Sequence, residues 1–109
     1  MANRIVMVSV APYSPLFQSI WGDQIAAQIG DWIRVNSNTW LIWTTQNTSS
    51  VSNTFRSSLN PNDTIVVVYV DPKGAAGNAP QWIWDWVNSK ANVNAGLGAV
   101  FNSIPRLNP

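Results

Sequence analysis

The carboxylates able to do proton or metal chemistry in this chain are few, Asp23, Asp31, Asp63, Asp71 and Asp85, with no His, Cys or Glu beside them. Without His the commonest general base and metal ligand is missing, and a Ser/His/Asp triad is out of reach despite plentiful Ser. Without Cys there are no disulfides and no thiolate chemistry. Asp63 and Asp71 flank one apolar run about eight residues apart, so a strand between them holds them at opposite ends. That spacing disfavours a shared metal or an acid/base pair, and turn and cap roles account for both better. Asp31, beside Gly30, reads as a helix-end or hairpin residue. The expectation is no catalytic residue, no metal and no cofactor.

Binding candidates are more numerous. Arg34 lies between Ile33 and Val35 in a β-rich run and points opposite to them. On a solvent face or dimer cleft its fork would grip phosphate or carboxylate; the plainer reading, which we favour, is an edge-strand charge that discourages aggregation. Seven Trp in 109 residues exceed what one core requires. Trp40 and Trp43, three apart in one strand, face opposite ways, so one is core and the other exposed or under a partner. Trp82, Trp84 and Trp86 would suit a base-stacking surface, yet only Lys73 and Lys90 lie near them in sequence. An oligomer or intramolecular seam is the better reading. The candidate binding set is Arg34, Trp43, Lys73, Trp82 and Trp84. Gly74-Ala75-Ala76-Gly77-Asn78 lacks the Gly-Lys-Ser/Thr ending of a phosphate loop and is set aside.

The elements that must position these residues follow from periodicity. Ile5 to Val10 is a β-branched run and reads as a central strand ended by Pro12 and Pro15. Phe17, Trp21, Ile25 and Ile29 recur every fourth residue, with Ile20 and Trp32 widening the stripe. Ser14 as cap and Pro15 at the first position would open this helix, and Gly30 suits the left-handed residue that closes it. Trp32–Val35 and Thr39–Thr45 are strands around the Asn36-Ser37-Asn38 turn. Thr48-Ser49-Ser50 offers a second cap, before a helix carrying Val51, Phe55 and Leu59. After the Asn60-Pro61-Asn62-Asp63 breaker, Thr64 to Val70 reads as a strand buried on both faces.

The order β-α-β-β-α-β is the split βαβ, or ferredoxin-like, plan: an α+β antiparallel sheet with both helices on one face. Beyond Pro80 the Trp-rich run alternates as a strand would, yet Pro80 suits a helix start, and a short helix is the expectation. The reading is a ferredoxin-like domain over 1–90 and an irregular C-terminal tail over 91–109.

Charged residues make up only 10% and the net charge is +1, which supplies no electrostatic drive toward nucleic acid or anionic membranes. So little charge also protects poorly against self-association. The first apolar run is too short for a secretory leader and no segment reaches a membrane span. A soluble, cytoplasmic protein without membrane contact is expected.

Three stretches carry a family resemblance: Val8-Ser9-Val10-Ala11-Pro12, Gly30 through Ile42, and Asn60-Pro61-Asn62-Asp63-Thr64-Ile65-Val66-Val67. With element order they cover roughly residues 5–72, and the sequence resembles the small CRISPR adaptation-subunit family of ferredoxin-like, endoribonuclease-type proteins, particularly its SinR-like relatives. The resemblance implies a ferredoxin-like dimer. In nuclease-active members it also implies an Asp at the end of the first strand that holds a divalent metal; that position is Ala11 here. A His and an Asp of the relatives' middle motif are Arg34 and Ser37. A methyl group cannot ligate Mg²⁺, which needs oxygen ligands, so metal-dependent cleavage at the family site is not expected.

The leading functional reading is therefore a non-catalytic homodimeric binding or assembly protein, with a protein partner and a prokaryotic or phage defence setting drawn from the resemblance. The alternatives are a metal-dependent nuclease with a displaced site, or a sponge-like protein that holds a nucleotide without turning it over.

Overall fold

The computed structural model describes residues 2–94. It divides between Val70 and Asp71 into two compact units. The first holds strands β1 (Arg4–Ala11), β2 (Asp31–Asn36), β3 (Thr39–Thr44) and β4 (Thr64–Val70), with helices α1 (Ser19–Ile29) and α2 (Thr48–Ser58). All pairings are antiparallel and the strand order is β2-β3-β1-β4. Each helix therefore links strands that have one other strand between them, which is the ferredoxin-like arrangement expected from the element order.

The register assigns the two faces. Val8 pairs with Trp40 and Val67, and Val6 with Ile42 and Tyr69. Val6, Val8, Val10, Trp40 and Ile42 form one buried cluster with Ile25, Ala26 and Ile29 of α1 and Val51 and Phe55 of α2. Both helices thus cover the same face of the sheet. Fully burying each large side chain in this layer contributes about 1.5–3 kcal/mol. The opposite face carries Ile5, Met7, Leu41, Trp43, Val66, Val68 and Val70 by the same pairings.

Several local expectations need correction. Helix α1 begins at Ser19, with Gln18 as its N-cap and no side-chain cap bond. Ser14 makes a turn of its own instead: its hydroxyl accepts from Leu16 N at 3.1 Å and its carbonyl from Phe17 N at 3.2 Å. Side-chain bonding to nearby backbone competes with helix in this way. The buried line of α1 is Gly22, Ile25, Ala26 and Ile29, while Ile20 and Trp21 stay exposed. A strict four-residue repeat drifts around a helix of 3.6 residues per turn.

Gly30 is extended (φ 175°, ψ −165°) rather than left-handed. Glycine is required there by space, since a Cβ would lie 2.1 Å from the Trp43 carbonyl oxygen. The α1 end is secured nearby, where the buried Thr44 hydroxyl donates to Ile29 O at 3.1 Å and occupies a carbonyl the helix cannot pair itself. Helix α2 is capped one residue earlier than expected, by Asn47, whose Oδ1 accepts from Ser50 N at 2.8 Å.

Strand β4 is not buried on both faces. It is an edge strand, with Val66, Val68 and Tyr69 exposed at 52%, 41% and 45%. An apolar run marks a strand without saying whether it lies at the centre or the rim.

In the second unit Asp71 caps a 3₁₀ turn, Pro72–Gly74, by accepting from Lys73 N at 3.0 Å. Helix α3 runs Gln81–Asn94, longer than expected, so residue 90 falls inside it and residues 91–94 of the expected irregular tail are helical. The rest of that tail lies outside the described residues. Among the described residues of α3, Ile83 and Val87 are buried. Among the described residues no helix is long and apolar enough to cross a membrane.

Candidate functional site

Arg34 stands opposite Trp40 in the β2/β3 pairing and so lies on the helix-covered face. Its Nη1 donates to Asp23 Oδ2 at 3.0 Å, and the other oxygen of that carboxylate accepts from Trp40 Nε1 at 2.9 Å. Asp23, on α1, thereby joins a half-exposed guanidinium to a wholly buried indole. Trp40 reaches this position because Gly22 offers no side chain: a Cβ there would fall 2.0 Å from the indole ring. Phe17 and Phe55 pack against Trp40 at ring separations of 6.5 and 6.0 Å. The arrangement positions α1 on the sheet. It also occupies part of the fork that would have met a ligand.

Trp43 pairs with Ile5 and Asp31 and is half-buried on the face away from Arg34. The register therefore separates these two candidates rather than bringing them to one cleft. Lys73 is exposed in the 3₁₀ turn, and Trp82 is exposed and Trp84 half-buried on α3. In a helix, residues two apart diverge by roughly 200°, so Trp82 and Trp84 do not form one stacking row. Trp86 lies one turn from Trp82, and its ring carries the Lys90 ammonium at 5.3 Å.

The carboxylates are spread through structural roles. Asp63 accepts from Tyr13 N at 2.8 Å and from Asn60 N at 3.1 Å, tying the loop after β1 to the turn before β4. Asp85 accepts from Gln81 Nε2 at 3.0 Å. Asp31 opens β2 at the far side of the sheet from β4. Among the described residues no three carboxylates converge as a metal would need. Ala11, at the metal position suggested by the family resemblance, is an exposed residue opposite Thr64.

The two rims of the sheet differ more than any cleft does. Rim strand β2 carries Asp31 and Arg34 and is irregular between Arg34 and Asn36; charges and bulges are the devices that keep an edge from pairing. Rim strand β4 reads Thr-Ile-Val-Val-Val-Tyr-Val, seven residues with no charge, Pro, Gly or register shift. Its outward side chains include the exposed Val66 and Val68. Both sets of residues reach the edges of the sheet through the strand order β2-β3-β1-β4.

No family model, curated protein or solved structure matches the chain.

Proposed function

We propose that this chain is a non-catalytic assembly module that forms a homodimer through the outer edge of β4. The observation that carries the reading is the uncharged rim strand: seven β-prone residues with Val66 and Val68 exposed, against a β2 rim that is charged and irregular. Open N–H and C=O groups along such a strand template another strand. A second copy supplies a matching one, because a two-fold axis sets like surface against like. Antiparallel β4–β4 pairing makes one continuous eight-stranded sheet and sets Val66 and Val68 beside their counterparts, an apolar pairing.

The low charge supports the same reading, and the scattered carboxylates argue for binding rather than turnover. A cytoplasmic location and a role in prokaryotic or phage defence belong to this proposal and rest on the sequence resemblance. Because the chain has no Cys, single cysteines placed one at a time from Thr64 to Val70 report on the edge alone. Oxidation should yield disulfide-linked dimers with a maximum inside β4, and none from an Ile33→Cys control on β2. Equal linking from both rims would refute pairing through β4.

A further inference from the structure

We propose that a notch at one end of the sheet, beyond the role proposed for the β4 rim, binds a single oxyanion group, phosphate or carboxylate. Arg4 opens β1, Tyr69 lies near the end of β4, and Thr45, Gln46 and Asn47 connect β3 to α2. With Ala2 they line a cavity of 170 Å³, room for one such group and part of the molecule that carries it.

Its donors are arranged rather than merely present. The Arg4 guanidinium sits 4.6 Å above the Tyr69 ring, and a cation–π contact of this kind orients the planar fork. Both amide oxygens in the lining are already used. Gln46 Oε1 accepts from the Ser50 hydroxyl at 3.1 Å, and Asn47 Oδ1 from Ser50 N at 2.8 Å. Each amide also carries an NH₂, a donor. The Thr45 hydroxyl adds another donor at the same wall.

Among the described residues no carboxylate lines the notch. Asp23 is joined to Arg34, while Asp63, Asp71 and Asp85 accept from groups of their own turns and helices. Asp31 lies on β2, two strands from β1. One oriented cation with several neutral donors, and amide oxygens already engaged by Ser50, is complementary to an anion, since charge-assisted hydrogen bonds to Arg are the strong ones. Arg34 has an internal counter-charge. Arg4, among the described residues, has an aromatic ring instead.

The test is a titration followed by amide and Arg side-chain NMR at constant ionic strength. Inorganic phosphate and acetate form separate arms, with chloride as reference. Saturable shifts confined to Arg4, Thr45, Gln46, Asn47 and Tyr69 are expected in at least one arm, and the arms distinguish a tetrahedral from a planar anion. Arg4→Gln should weaken binding at least about tenfold. Gln46→Glu, which sets a carboxylate opposite Arg4, should do the same and carries the test if Arg4→Gln fails to fold. Arg56→Gln, exposed on α2 outside the notch, should leave binding unchanged. Shifts that grow linearly without saturation, that persist in folded Arg4→Gln or Gln46→Glu, or that vanish in Arg56→Gln would overturn the assignment.

Discussion

Replacing Gly22 by Ala should destabilise this protein, the reverse of the usual effect in a helix. A methyl at Gly22 falls 2.0 Å from Trp40 Cζ2, 2.3 Å from Cη2 and 2.7 Å from Cε2. Carbon atoms pack at about 3.5–4.0 Å, so ring or helix must retreat by roughly 1.5 Å. The ring has little freedom to do so. It is fully buried, and its Nε1 is held at 2.9 Å by Asp23, the residue next to Gly22. Overpacking a tight core costs about 1–3 kcal/mol, and an overlap this deep belongs near the top of that range. Better helix propensity returns about 1 kcal/mol. The net loss is therefore about 2 kcal/mol, which for a domain of this size lowers Tm by about 10 °C. Urea unfolding followed by Trp fluorescence measures it, and an unchanged m value shows that native stability itself has moved. Ala27→Gly, exposed on the same helix, should cost about 1 kcal/mol and calibrates the propensity term. A Gly22→Ala protein as stable as its parent, or more so, would refute the seating of Trp40 on α1.

Three further outcomes follow from the same packing. Trp40→Ala should cost about 3–5 kcal/mol, against about 1–2 kcal/mol for the half-buried Trp43; denaturant melts showing the reverse would invert the β3 register. Asn47→Ala should cost about 1 kcal/mol by removing the α2 cap, with Asn47→Asp close to neutral; thermal melts of the pair decide it. Single- and double-stranded RNA and DNA incubated with Mg²⁺ or Mn²⁺ should give no product above a mock purification, because cleavage needs carboxylates converging on the cation. Activity lost in Asp63→Ala or Asp31→Ala would contradict this.

How far the residues announced the structure can be traced element by element. The hairpin around Asn36-Ser37-Asn38, the β-branched runs and the helix carrying Val51 and Phe55 were legible because local chemistry and periodicity both mark them. The opposite facing of Trp40 and Trp43 follows from the two-residue period of a strand. Which of them is core does not follow, since that depends on the layer α1 adds. Asp23 stayed hidden because its partners, Arg34 and Trp40, meet it only after β2 and β3 fold under α1. The start of α1 was misplaced because Ser14-Pro15 satisfies both a cap pattern and a free-standing turn. For β4 the hydropathy signals a strand, while its place at the rim comes from the order β2-β3-β1-β4. Arg4 and Gln46 are neighbours in space and remote in sequence, so no local pattern marks them.

Molar mass by light scattering during size exclusion tests assembly through the β4 rim most directly. The parent chain should elute with twice its 12.0 kDa mass. The Val66→Lys, Val68→Lys double variant should elute as a monomer with its thermal melt still cooperative, because both sites are exposed and edge lysines block strand pairing. A parent that runs as a 12.0 kDa monomer at micromolar concentration, or a double variant that stays dimeric, would contradict the account.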